Sequence, residues 1–280
     1  MPELPEVETL KRQLEKVIKN QQVLEVQVLR EKSFQGAKKE VVGKKIKGVE
    51  RRAKLLIIAL EGSFLVVHLK MTGQLVYVAE NQSRVAGGHP TADWVKELPS
   101  KHTRVILRLE KGTLFFNDQR VFGWIKVVKE QELRLMLAKF GPDIISKEAN
   151  KIHLKKILAS SGRMVKLILM DQTKIGGLGN IYVNDGLFYA GIDPKTRGKQ
   201  LAEKSKKLDK LFIGLKRVVG MGIRYQGASE TNYVHLNGMG GKYQEHFLVY
   251  KKTQCTKCRG RIKRISLGGR STYYCPKCQI

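Results

Sequence analysis

Two short cysteine pairs near the end of the chain, Cys255-Thr-Lys-Cys258 and Cys275-Pro-Lys-Cys278, constrain its fold more than any other feature. Sixteen residues separate them. Each C-x2-C pair can present both sulfurs from one tight turn, and the stretch between is long enough for a short β-hairpin. The spacing therefore predicts a tetrahedral site for one structural Zn2+, held by Cys255, Cys258, Cys275 and Cys278. Two disulfides are the weaker reading, because the chain has no other cysteine and no secretory start. From Thr253 onward the stretch carries Lys257, Arg259, Arg261, Lys263, Arg264, Arg270 and Lys277, and no Asp or Glu. A small metal-held hairpin coated in cations is suited to meeting phosphate.

The same bias runs through the whole chain. Lys and Arg number 53 against 25 Asp and Glu, a formal net charge of +28, which points to a polyanionic partner. A permanently RNA-bound protein and an anionic membrane surface are the competing explanations. Apolar runs such as residues 55–60 fall well short of the roughly 20 residues a spanning helix needs. The start Met-Pro-Glu-Leu-Pro-Glu is acidic, unlike a signal peptide. The expectation is a protein in a reducing compartment, acting on nucleic acid and not on a membrane.

Periodicity divides the chain. Leu4, Val7, Leu10, Leu14, Val17 and Ile18 recur at helical spacing, so an amphipathic helix begins almost at the first residue. Short β-branched runs follow at 23–29, 55–60, 64–71, 74–78, 105–109, 113–116 and 125–128, an antiparallel sandwich or barrel. A polar loop, 80–101, interrupts them and is expected to be mobile. Helical patterns take over at 133–140, 152–159, 164–170, 181–190 and 201–221. The working architecture is α+β and multidomain: a β domain with an N-terminal helix (1–130), a helical domain (131–226), a Gly-rich lid or linker (227–244) and a C-terminal zinc hairpin (245–280).

Removal of Met1 would leave Pro2 at the N-terminus with Glu3 beside it. An α-amino group titrates near 7.7, so at neutral pH its nucleophilic fraction is roughly several hundred times that of a lysine. Attack of this secondary amine on C1′ of a deoxyribose would form an iminium, an electron sink that acidifies the neighbouring C–H. Glu3 could move protons on the sugar as bonds break.

Several separated motifs occur together and in order: Pro2-Glu-Leu-Pro-Glu-Val-Glu-Thr, Arg51-Arg-Ala-Lys54, His68-Leu-Lys-Met71, Asp118-Gln-Arg-Val-Phe-Gly123, Gly179-Asn180-Ile-Tyr182 and Arg270-Ser-Thr-Tyr-Tyr-Cys275. Over nearly its whole length the chain resembles bacterial formamidopyrimidine-DNA glycosylases. The resemblance implies an N-terminal β-sandwich, a helix-two-turn-helix domain and a C-terminal zinc finger. It also implies excision of oxidised purines from damaged double-stranded DNA, followed by β,δ-elimination at the abasic site, by a monomer in the bacterial cytoplasm, associated with the nucleoid. Carried over by residue, it makes Pro2 the Schiff-base nucleophile and Glu3 the acid acting on the sugar. Lys54 and Arg270 become the proton donors of the first and second eliminations. His68, Asn180, His102 and Arg120 are implied DNA contacts, and Met71, Arg120 and Phe122 the residues that fill the gap left by an extruded nucleotide.

The chain departs from the family pattern in four places. Asp185 stands where a glutamate is expected, Arg104 replaces a histidine, loop 80–101 is long, and the lid around Ser229, Thr231 and Tyr233 diverges. Two other readings stay open at this point: an endonuclease VIII-type glycosylase for oxidised pyrimidines, and a zinc-ribbon nucleic-acid binder without catalysis.

Overall fold

The fold, taken from a computed structural model, covers residues 1–229 and 240–280. They form two compact units, Met1–Ala138 with Tyr225–Lys242, and Lys139–Arg224 with Tyr243–Ile280. The segment 230–239, which includes Thr231, Tyr233 and His235 of the expected lid, lies outside the described residues.

In the first unit, helix α1 (Leu4–Ile18) starts as early as its sequence predicts. Glu3 is the extended N-cap residue, Pro5 sits in the first turn, and Glu3 and Glu6 form a reciprocal capping box in which the Glu3 N–H donates to Glu6 Oε2 at 2.8 Å. Leu4, Val7, Leu10, Leu14 and Ile18 are all buried. At about 2 kcal/mol each, their removal from water is worth on the order of 10 kcal/mol before ordering costs.

Ten strands follow: β1 (Val23–Val28), β2 (Phe34–Gln35), β3 (Ile46–Arg52), β4 (Leu55–Leu60), β5 (Ser63–His68), β6 (Gly73–Ala79), β7 (Arg84–Gly88), β8 (Thr103–Leu109), β9 (Gly112–Asp118) and β10 (Trp124–Val128). They pair as two five-stranded sheets in the orders β1-β8-β9-β6-β7 and β2-β10-β5-β4-β3. All pairs are antiparallel except β2 with β10. Between sandwich and barrel, the structure is a sandwich, with α1 packed along the edge strands β3 and β7. The helix comes close because Gly87 has no side chain; a Cβ there would lie 2.8 Å from Leu10. Helix α2 (Glu130–Leu137) closes the run.

Part of the expected 80–101 loop is therefore strand. Arg84–Gly88 carries two glycines and little β signal, but Gly88 adopts φ +113°, and a Cβ there would come within 2.5 Å of the Gly73 carbonyl. Strand β3 escaped the sequence pattern for another reason: a register shift between Ile46 and Gly48 sets its buried residues Ile46 and Val49 three positions apart, which breaks the two-residue period.

The second unit holds α3 (Lys151–Ala159), α4 (Val165–Leu169), α5 (Asn180–Ala190), α6 (Gly198–Ala202) and α7 (Ser205–Arg224). The periodic run 201–221 is thus two helices. Helix α5 is buried on nearly every side and ends on the left-handed Gly191. Helix α7 reaches it through glycines: a Cβ on Gly186 would meet Leu215 at 2.6 Å, and one on Gly222 would meet Tyr182 at 2.5 Å. A final hairpin, β11 (Lys263–Leu267) and β12 (Arg270–Tyr274), turns at Gly268-Gly269, both at positive φ. It rests on a cluster of Phe188, Val249, Cys255, Ile262 and Cys275. Among the described residues, no helix is long and apolar enough to cross a membrane.

Candidate nucleic-acid interface

The first unit gathers most of the predicted residues at its turns. Pro2 and Glu3 are buried ahead of α1, with Glu3 only 2% exposed. Glu6, which the sequence reading left unassigned, also accepts from the Ala228 N–H at 2.8 Å, so the start of α1 holds the stem of the 227–241 segment. Lys54 is buried beside the tight β3–β4 turn, where Ala53 adopts φ +51°. That turn is pinned to α1: Arg51 donates to Glu8 Oε2 at 2.9 Å and to the Ala53 carbonyl at 2.9 Å. Burial alone would raise Glu8, but the Arg51 and Arg12 guanidiniums outweigh it and hold the carboxyl below its ordinary range.

His68 ends β5, paired across the sheet with Leu55 and so next to Lys54. Its Nδ1 accepts the Lys70 N–H at 3.0 Å, which leaves Nε2 as the protonated donor. Burial first, then the charges of Lys70 and Lys54, push its pKa down to about 3. At neutral pH His68 is an uncharged hydrogen-bond donor.

Met71, Arg120 and Phe122 sit on two turns joined by one carboxylate. Asp118 is fully buried. Its Oδ1 accepts from the Thr72 hydroxyl and from the Arg120 N–H at 3.2 Å, and its Oδ2 accepts from the Gly123 N–H at 2.6 Å. Gly123 is required there, since a Cβ would fall 2.8 Å from Phe116. Met71 is half-buried, Phe122 is 48% exposed, and the Arg120 guanidinium lies 4.7 Å from the Phe122 ring centre. His102 joins the same region through its carbonyl, which accepts from the Asp118 N–H at 2.9 Å. The unexpected Arg104 is spent on backbone, donating to the carbonyls of Asp118 at 2.8 Å and Lys101 at 3.0 Å.

In the second unit, Asn180 binds the backbone carbonyl of Ser271, the residue after Arg270. Asn180 opens α5, and its Nδ2 donates to the Ser271 oxygen at 3.0 Å, next to the exposed Arg270. The fully buried Lys166, missed in the sequence reading, donates to the same oxygen at 3.1 Å and to Thr272 Oγ1 at 2.6 Å. The signal for Lys166 was present only as a lysine on the apolar face of 164–170.

Asp185 is buried in α5 and serves its own unit. Its Oδ1 accepts the N–H groups of Val249 and Tyr250, each at 3.0 Å, and its Oδ2 accepts from the Tyr243 hydroxyl at 3.1 Å. Burial pushes its carboxyl up, against the pull of those N–H groups.

The four cysteine sulfurs lie within 4.8 Å of one another. The Cys255–Cys278 and Cys258–Cys275 separations are 3.8 and 3.5 Å. Sulfurs at 2.3 Å from a tetrahedral zinc would be about 3.8 Å apart, so the donor set and its spacing fit the metal. Backbone N–H groups of Lys257 and Cys258 point at Cys255 Sγ, and Gln279 Oε1 accepts the Cys275 N–H at 2.9 Å. Lys257 donates to the carbonyls of Phe188 and Tyr189 at the end of α5.

A sandwich unit opened by a buried Pro-Glu start and a helical unit carrying a four-cysteine cluster and a basic hairpin define a multidomain zinc-finger protein of the α+β class. Residues 1–125 match the formamidopyrimidine-DNA glycosylase N-terminal domain, 140–233 its H2TH domain, and 254–280 the zinc finger found in FPG and IleRS. The formamidopyrimidine-DNA glycosylase of Desulfitobacterium hafniense is 35% identical over the full length of both chains. A Lactococcus lactis FPG mutant in complex with Fapy-dG containing DNA superposes with a TM-score of 0.87 at 30% identity, covering 99% of each chain. The wild-type Lactococcus lactis protein with an oxidized pyrimidine containing DNA gives 0.85 at the same identity and coverage. The chain belongs to the formamidopyrimidine-DNA glycosylase family. Its zinc finger accounts for the four cysteines and for one structural zinc.

Proposed function

We propose that the protein is a bifunctional DNA glycosylase of base excision repair, acting on damaged duplex DNA in the bacterial cytoplasm. It removes formamidopyrimidines and 8-oxoguanine and then cuts the strand. The observation that supports this most is the Pro2-Glu3 start, buried ahead of α1 in a chain that matches its relatives end to end.

Loss of Met1 frees the Pro2 secondary amine. Its lone pair forms a bond to C1′ as the base leaves with its bonding electrons. The N–H proton is then lost and one proton neutralises the departed base, and Glu3 protonates O4′ as the nitrogen lone pair opens the sugar ring to the iminium. The resulting iminium acidifies C2′–H; loss of that proton drives out the 3′ phosphate, with Lys54 as proton donor. A second elimination expels the 5′ phosphate, with Arg270 as donor. His68 and Asn180 hold phosphate oxygens, His68 as a neutral N–H donor, and His102 grips the backbone. Met71 and Phe122 fill the gap in the stack, and Arg120 takes up hydrogen bonds of the opposite base. Cys255, Cys258, Cys275 and Cys278 would hold the zinc, which keeps the Arg270 hairpin rigid.

Oxidised pyrimidines are a second substrate class, favoured by the Lactococcus lactis relative having been crystallised with such DNA. Borohydride added during incubation of Met-processed, zinc-loaded protein with 8-oxoguanine duplex should trap a covalent adduct. Absence of an adduct with 8-oxoguanine, formamidopyrimidine, oxidised-pyrimidine and abasic duplexes alike would overturn the Schiff-base reading.

A further inference from the structure

Beneath the long 80–101 segment runs a closed polar circuit, of which the steps above use only His102. Gln74, fully buried in β6, donates from Nε2 to Thr91 Oγ1 at 2.9 Å, and its Oε1 faces Asn117 Nδ2 at 3.5 Å. Asn117 Oδ1 accepts the Thr103 hydroxyl at 2.8 Å, and Thr103 Oγ1 accepts the Ser100 N–H at 2.9 Å. Ser100 Oγ accepts the His102 N–H at 3.1 Å. The His102 ring closes on Asp93, Nδ1 to Oδ2 at 2.9 Å, and the Asp93 N–H returns to Thr91 Oγ1 at 3.2 Å. The Asp93 side chain is 9% exposed and that of His102 is 23% exposed.

A carboxylate only accepts, so the ring nitrogen facing Asp93 carries the hydrogen. This wiring is the reverse of His68, whose Nδ1 accepts a backbone N–H. We propose that Asp93 is the positioning residue for His102: it holds the Nδ1–H inward and presents Nε2 to a DNA phosphate, making the 80–101 segment part of the DNA grip. With Nδ1–H committed to Asp93, Nε2 donates to a phosphate oxygen in the imidazolium form, and the carboxylate behind it supplies the counter-charge. The surrounding circuit keeps that carboxylate in place, as polar partners orient a histidine ligand in a metal site. The inference rests on the reading of His102 as a DNA contact.

The test is a double-mutant cycle on equilibrium binding of a duplex carrying a tetrahydrofuran abasic analogue, using full-length zinc-loaded wild type, His102→Ala, Asp93→Ala and the double variant, with thermal melts of each. We expect His102→Ala to weaken binding about tenfold, the range of one charge-assisted hydrogen bond. Asp93→Ala should weaken it severalfold, and the double variant should bind like His102→Ala alone. Asp93→Asn, which still accepts the Nδ1–H, should recover part of the loss; it replaces Asp93→Ala in the cycle if that variant melts early. Full persistence of the Asp93 effect without the imidazole overturns the inference in favour of a structural role for the loop. Wild-type binding by Asp93→Ala beside weakened His102→Ala overturns it too. Unchanged binding by His102→Ala instead removes the DNA-contact reading of His102, and the inference with it.

Discussion

Replacing Asp118 should be among the most damaging single changes in the first unit, and the loss can be worked from its partners. Asp118→Ala leaves the buried Gly123 N–H and the Thr72 hydroxyl without their acceptor, whereas the Arg120 N–H keeps Thr72 Oγ1 at 3.0 Å. Two orphaned buried donors at roughly 1–3 kcal/mol each give a loss of about 4 kcal/mol. Asp118→Asn can turn its oxygen to Gly123 and its amide to Thr72, so its cost should be nearer 1 kcal/mol. Both tryptophans, Trp94 and Trp124, lie in this unit's sequence, so urea unfolding followed by tryptophan fluorescence reads the relevant transition. Because Asp118 ties the Thr72 turn to the Arg120–Phe122 turn, Asp118→Ala should also blunt opposite-base discrimination more than it slows trapping at an abasic site. A loss below about 1 kcal/mol for Asp118→Ala, or equal losses for the two variants, would refute the argument that this carboxylate organises both turns.

Other outcomes follow from the same geometry. His68 binds fewer protons folded than unfolded, since its pKa falls from 6.5 to about 3; its contribution is full above pH 6.5 and is lost as pH drops toward 3. At about pH 5 wild type should have lost roughly 2 kcal/mol on this account; His68→Gln should flatten the pH dependence of unfolding, and an unchanged slope counts against the neutral donor. Because that donor is uncharged, His68→Ala should weaken DNA binding without changing its salt slope, while Lys54→Ala should lower the slope by about one; a slope change in the histidine variant contradicts this. Glu3→Gln should bind DNA and fail to excise the base, and normal excision would contradict its assigned role. Chelating the zinc under reducing conditions should abolish DNA binding and strand cleavage while the tryptophan-reported unfolding of the first unit stays put, and undiminished binding by metal-free protein would refute the role of the hairpin.

Much of this protein is local and therefore legible in its sequence. The C-x2-C pairs specify a metal geometry within a few residues, the spacing from Leu4 to Ile18 specifies a helix and its buried face, and the role proposed for Pro2-Glu3 is argued from position alone. What escaped depends on partners distant in sequence. Strand β7 is held by pairing to β6 and by glycines that matter only because α1 and the β6 backbone press against them. The Asp118 carboxylate, the Asp93–His102 pair and Lys166 against Ser271 join residues 9 to 105 positions apart, and any of these side chains alone would pass for surface charge. Asp185 shows the same limit: its burial against 243–250 turns a one-methylene departure into a bond within its own unit. The sequence by itself determined the metal, the candidate Pro2-Glu3 start and the succession of β and helical segments, because short-range sterics and ligand spacing suffice for them. Only the tertiary structure decided which polar side chains are desolvated and paired, because burial and hydrogen-bond geometry exist only once distant segments have packed.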